Sequence, residues 1–280
     1  MPWFVNVPSF PQRFTRRALG LSPFDITFCV GAPRSGTTLV ASLLSEGPTS
    51  TPMLPECTYV TQLLRNYFDF VNYSDQQRFT AYARSSASLQ KIYRRAAQRM
   101  AGTAASHFDW WRYKNIVFKD PELTAYVDLI PAFFGEDRKV VYVARNPADV
   151  VASLFKVYCD EEQPPDLRIV ADSVYQYFWS IHESELMKSG NVHVIQFEKI
   201  LAKEESEFER IEAYLGFAVG REGFAKVYFE PDRKDATYSE NFGKPITGEL
   251  SSKAEKYIDE STLEYVRTTF SGYNEIYNWW

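Results

Sequence analysis

The sequence predicts an α/β fold: a P-loop-like domain of three layers, with a central parallel β-sheet flanked by helices. Three observations lead there. Short apolar runs alternate with longer amphipathic stretches, which is the pattern of parallel strands joined by right-handed helical crossovers. The first apolar run ends in a loop bracketed by Gly31 and Gly36 that leads straight into helical spacing. No repeat, low-complexity tract or linker interrupts the 280 residues, so residues 1–280 read as one domain.

The elements follow in order. Residues 1–24 form an arm that is aromatic and basic, with Arg13, Arg16 and Arg17. The arm is expected to pack across the domain or to make peripheral contact with a membrane. It lacks the continuous apolar segment of a signal peptide. DITFCV (25–30) is a buried strand. TTLVASLLSE (37–46) is a helix ended by Gly47-Pro48. Residues 58–71 carry Val60, Leu63, Leu64, Tyr67 and Phe68 at helical spacing. The stretch 72–112 is polar, rich in Arg and Gln, and reads as an insert of one or two exposed helices. IVF (116–118) is a second strand, and Pro121 starts a helix over 122–134. KVVYVA (139–144) is the clearest buried strand, followed by a helix over 148–158. A helix over 170–188, a strand over 192–197, and helices over 200–215 and 253–270 complete the chain.

Composition narrows the function. The chain is 45% hydrophobic and 24% charged, with a formal net charge of -5. That balance suits a soluble globular protein with a sizeable core. It argues against a general nucleic-acid binder and against a long polyanionic acceptor. The three cysteines, Cys29, Cys57 and Cys159, are far apart and odd in number, which favours a reducing compartment. No apolar run is long enough to span a bilayer. The cytoplasm is the expected location, with the Golgi lumen the alternative if the chain is a piece of a longer protein. The three histidines, His107, His182 and His193, are scattered, and no metal site is expected.

Ligands of open α/β sheets sit at the carboxyl ends of the strands. After DITFCV, Gly31 and Gly36 permit tight turns, and the helix at Thr37 aims its unpaired amides back into the loop. Amides and dipole together favour a tetrahedral anion. Ser35, Thr37 and Thr38 add hydroxyls, and Arg34 adds a forked cation. A structural turn with capping hydroxyls would use the same residues. A Walker-type loop carries lysine where Thr37 stands. After KVVYVA comes Arg145-Asn146-Pro147, with Ser153 on the following helix. Arginine and serine can converge on a second anion there. Taken alone, they also fit a surface arginine and a serine bonded to its own turn.

Pro33-Arg34-Ser35-Gly36-Thr37-Thr38 after a strand, with Arg145-Asn146-Pro147 and Val150 and Ser153 far downstream, resembles the sulfotransferases that use 3′-phosphoadenosine 5′-phosphosulfate. Phe118-Lys119-Asp120-Pro121 is similar to the Lys-Asp-Pro segment of the tyrosylprotein branch and the Lys-Thr-Pro of carbohydrate-type members. Leu54-Pro55-Glu56 resembles the acidic segment in which several members carry a catalytic glutamate. Val194–Leu201 resembles the strand-to-helix YEDL segment, with Phe197 in place of the usual tyrosine. The resemblance covers roughly residues 25–60 and 115–217.

The resemblance implies a transfer of the sulfuryl group from that donor to a hydroxyl acceptor, in line and without a metal. It implies that the first loop holds the 5′-phosphosulfate, and that Arg145 and Ser153 hold the 3′-phosphate. Glu56 is the expected base; alternatively it caps the helix at Thr58 or pairs with an arginine. Lys119 and Arg34 are expected to face the oxygen that gains charge, unless Lys119 pairs with Asp120 or Glu122. His107 and His182 are the reserve bases. Lys244, in a late basic segment with Asn241 and Phe242, is the candidate for closing over the nucleotide. Asp149 reads as a helix-start residue. The acceptor is expected to be a glycan, a glycolipid or another large-molecule hydroxyl. A P-loop kinase and an inactive nucleotide-binding module are the competing functions.

Overall fold

All four strands arise where the apolar runs stand. In the computed structural model, residues 10–158, 165–228, 243, 244, 246 and 254–280 are described. Strands β1 (Asp25–Val30), β2 (Asn115–Lys119), β3 (Lys139–Ala144) and β4 (Val192–Gln196) form one parallel sheet in the order β2-β1-β3-β4. Cys29 pairs with Lys119, Val30 with Tyr142 and Ala144 with Gln196. The chain leaves β1 toward one edge and β3 toward the other. The crevice between their carboxyl ends is therefore the switch point at which such sheets bind ligands.

Side chains alternate across the sheet, and each face is buried. Ile26, Phe28, Val30 and Phe118 share a core with α3 (Thr58–Tyr73), α5 (Ser86–Ser106) and α6 (Ile130–Phe134), and the Tyr142 ring packs edge-on against Phe178 and His182. The Phe28 ring lies 6.0 Å from Phe118 and 5.0 Å from Phe134. Cys29, Val117, Val141 and Val143 pack on the other face, against α2 (Thr37–Glu46) and α11 (Glu205–Leu215). A third cluster joins α7 (Pro147–Tyr158), α8 (Leu167–His182) and α13 (Glu260–Thr269) through Val151, Phe178 and Val266. Each fully buried ring contributes about 1.5–3 kcal/mol relative to exposure.

Several expected helices are broken, each for a local reason. Residues 122–134 divide into a 3-10 helix, Pro121–Leu129, and α6. Tyr126 leaves helical geometry there, and Pro131 cannot donate to a continuing helix. The stretch 170–188 begins earlier, where Asp166 caps Arg168 N, and divides at Ser184, which caps α9 (Glu185–Lys188). The stretch 200–215 is α10 (Phe197–Leu201) and α11, parted at Lys203, whose φ is 55°. In place of one helix over 253–270 stand α12 (Ala254–Tyr257) and α13, whose start Asp259 caps by accepting from Thr262 N; α14 (Ser271–Tyr277) follows.

The insert is α4 (Gln76–Tyr82) and α5, the first capped by Asp75 and the second by a Ser85/Ser88 capping box. The arm contains a helix that the sequence pattern did not predict, α1 (Phe10–Ala18). Its buried Arg13 donates to the carbonyl oxygens of Pro23, Trp110 and Tyr113, which ties the arm to the segment before β2. Among the described residues, no helix is long and apolar enough to cross a membrane.

Candidate active site

The loop between β1 and α2 is held in shape by its glycines and by one distant hydroxyl. Gly36 precedes α2 with φ 102° and ψ 12°. A β-carbon there would stand 2.0 Å from the Phe197 ring, so glycine is required twice over. Gly31, with φ 153°, lies against the Val143 carbonyl and the Ser35 hydroxyl. Thr124, from the 3-10 helix, accepts from Gly31 N (2.9 Å) and donates to Gly31 O (3.1 Å). Ser35 N bonds Ala32 O (3.0 Å) and closes the turn.

This loop suits an anion. Ser35 is fully buried, and its Oγ has no hydrogen-bond partner, a cost that an incoming acceptor oxygen would relieve. The first amides of α2 have no intrahelical partners, and Gly36 offers no side chain to cap them.

Two cationic groups flank the loop. On one side Arg34 Nε donates to Ser153 Oγ (3.3 Å), and an Arg145 terminal nitrogen donates to Arg34 O (3.0 Å). Ser153 is buried on α7. Burial, and secondarily the charge of Arg145, push the Arg34 pKa down. Burial pushes Arg145 down, against the pull of Asp149 and Glu198. Both stay charged at neutral pH, so two guanidiniums share a poorly solvated space, which is a setting for an anion. The Arg145 guanidinium also stacks over Phe197 at 4.8 Å. Glu198 accepts from Asn146 N (2.7 Å) and fixes the turn after β3.

On the other side stands Lys119, the last residue of β2 and 4% exposed. Its ammonium donates to Thr38 Oγ1 (3.0 Å) and forms an ion pair with Glu56. The Glu56 side chain is 43% exposed, so one edge of the carboxylate faces solvent. The backbone seats it: Cys57 N bonds Lys119 O (2.9 Å), joining the start of α3 to the end of β2. Asp120 is buried and accepts from Thr61 Oγ1 (2.7 Å) and Glu122 N (3.0 Å). Burial pushes its pKa up, with Glu56 adding to the shift.

The structure thus brings together nine sequence-predicted residues: Arg34, Ser35, Gly36, Thr37, Thr38, Glu56, Lys119, Arg145 and Ser153. Arg34 and Lys119 were expected to face the same oxygen; the Arg34 Nε lies with Ser153, on a backbone turned through a positive φ of 70°. Lys119 pairs with Glu56 rather than with Asp120 or Glu122, and Glu56 caps no helix.

Neither reserve base joins the site. His107 is exposed with its ring 5.3 Å from Tyr228. His182 bonds Phe178 O and the Tyr277 hydroxyl inside an aromatic cluster, where burial lowers its pKa. Lys244 is exposed and is not among the converging side chains; Asn241, Phe242 and Cys159 lie outside the described residues. Asp149 sits in the first turn of α7 and accepts from Ala254 N (3.2 Å). Among the described residues, no three His, Cys, Asp or Glu side chains are grouped to hold a metal. Sequence reasoning missed Thr124 and Glu198. No motif marks a threonine in a 3-10 helix as a partner of a glycine ninety-three positions away, whereas Glu198 lay inside a stretch already singled out.

Known proteins identify the family and the fold. Residues 27–220 match the Sulfotransferase family. The fold is similar to that of a sulfotransferase from Mycobacterium avium, at 11% identity and a TM-score of 0.54, covering 97% of this chain and 81% of that one. It is also similar to the sulfotransferase domain of the Synechococcus PCC 7002 olefin synthase, at 17% identity and a TM-score of 0.51, covering 89% of this chain and 95% of that one. No curated protein sequence matches the chain.

Proposed function

Because the chain belongs to the Sulfotransferase family, we propose that it moves a sulfuryl group from 3′-phosphoadenosine 5′-phosphosulfate to an acceptor hydroxyl by in-line displacement. The observation that carries the donor assignment is the pair of cationic groups on either side of one anion-binding loop, Arg34–Arg145–Ser153 and Lys119–Thr38. A donor with phosphate at two separated points needs both. The unpartnered Ser35 hydroxyl and the uncapped amides of α2 fit the group between them.

That donor, when bound, supplies an activated sulfuryl group on a phosphate leaving group. The protein's share is positioning and charge. Arg145 and Ser153 hold the 3′-phosphate, and the loop amides with Ser35, Thr37 and Thr38 hold the 5′ end. Glu56 takes the proton from the acceptor hydroxyl as the new oxygen–sulfur bond forms. Lys119 neutralises the oxygen left on the phosphate as the old bond breaks. Its ion pair with Glu56 keeps the buried ammonium matched by a carboxylate until substrates arrive.

The acceptor we propose is a glycan, a glycolipid or another large-molecule hydroxyl. Glu56 stands two residues before α3, which presents the rings of Tyr59 (81% exposed) and Tyr73 (76% exposed). Such rings can stack on a sugar face. The cytoplasm remains our proposed compartment. A thermal-shift comparison tests the donor assignment. The 3′,5′-bisphosphate product should raise Tm strongly, and ATP with magnesium should not. The reverse order would sink the reading in favour of a kinase. A labelled-donor screen over sugars, lipids and phenols then finds the acceptor.

A further inference from the structure

The helical insert has a charge opposite to that of the chain as a whole. Residues 76–106 contain Arg78, Arg84, Lys91, Arg94, Arg95 and Arg99 and no Asp or Glu, in a chain of formal net charge -5. All six side chains are exposed. Arg78 pairs with Asp75 at 3.1 Å. Among the described residues the other five form no ion pair. Like charges gathered without counter-charges repel one another, and an anionic partner removes that cost.

The same face is also apolar. Ile92, Arg95 and Arg99 stand three and four positions apart and share one outer stripe of α5, with Lys91 and Met100 flanking it. Ile92 is 62% exposed and Met100 39%. The stripe runs on to the end of α1. The Arg99 side chain lies against Gly20, and Gly102 packs on the Gly20 carbonyl. Leu19, 56% exposed, and the exposed Arg17 continue the surface there.

We propose that this face of α5, with the end of α1, docks the protein on an anionic lipid bilayer. Cations alone would serve a soluble polyanion, but Ile92, Met100 and Leu19 would gain nothing from one. A bilayer interface takes both: phosphate headgroups for the arginines and the acyl boundary for the apolar side chains. The rest of the chain, being acidic, is repelled by the same surface, which orients the molecule with this face toward the lipid.

Co-sedimentation of the full chain with vesicles tests this. Binding is expected to vesicles containing about one-third phosphatidylserine and not to phosphatidylcholine alone, at ~0.1 M salt. Arg95→Gln with Arg99→Gln should weaken the partition roughly 30-fold, as loss of two near-surface cations implies. Ile92→Ser with Met100→Ser should weaken it several-fold at the same salt. Circular dichroism and sulfotransferase activity should be unchanged in both variants, since none of the four residues touches the active site. Equal sedimentation with both vesicle types, or with neither, overturns the proposal. So does an apolar variant that binds vesicles normally while the arginine variant loses vesicles and heparin alike, because that outcome describes a polyanion site.

Discussion

The two cationic groups that flank the phosphate loop are built on different principles. The Arg34–Arg145–Ser153 group is assembled from three buried or half-buried residues, with Arg34 bonded to both of the others and Arg145 stacked on Phe197. Two guanidiniums meet there, an Arg145 terminal nitrogen donating to Arg34 O, and a pair of neighbouring cations suits an anion. The Lys119–Glu56 group is a buried cation paired with a half-exposed carboxylate. It is neutral as a unit and open to solvent on one side. A site that only binds needs rigidity and excess charge. A site that moves a proton needs an accessible base whose partner can be released to another oxygen.

If that division holds, the largest loss of turnover comes from Glu56→Gln. Steady-state assays should show kcat reduced roughly 100- to 10,000-fold, the usual worth of a general base. Affinity for the 3′,5′-bisphosphate should be equal or tighter, because Lys119 is freed from its pair. Unchanged turnover would remove Glu56 from the mechanism. Lys119→Ala comes next, with kcat lower by about 100- to 1,000-fold.

Arg145→Ala should act on the other side of the comparison. Calorimetry should show the bisphosphate Kd raised on the order of 10- to 100-fold, the value of one charged hydrogen-bonding group, with kcat at saturation much less affected. An equal loss of kcat would mean that the two groups work as one. The smallest effect is expected from Thr124→Val, which leaves Gly31 N and O unbonded inside the protein. A thermal melt should register a loss of about 1–3 kcal/mol, and bisphosphate affinity should fall with it. No change in either would show that the loop holds its shape without that anchor.

Much of this was legible in the sequence, for reasons that differ by element. β3 and α2 have the predicted bounds, because an apolar run closed by a special loop leaves little choice of register. The loop residues Arg34 to Thr38 were legible because glycines and hydroxyls at that spacing serve few other purposes. The helix breaks at Tyr126 and Lys203 were not, since each depends on what packs nearby rather than on propensity. The α1 helix was hidden by prolines and by its dependence on Arg13 reaching three carbonyls of the segments before β1 and β2.

The sequence by itself determined the layers, the loop after β1 and the set of residues available to the site. Periodicity and glycine placement are local properties, and they survive without knowledge of neighbours. Only the tertiary structure decided the partners. It bonded Arg34 to Ser153, paired Lys119 with Glu56, and hung the loop from Thr124. Those pairings depend on which strands adjoin, β2 and β3 on either side of β1, and on a backbone turn that sends the Arg34 side chain toward β3.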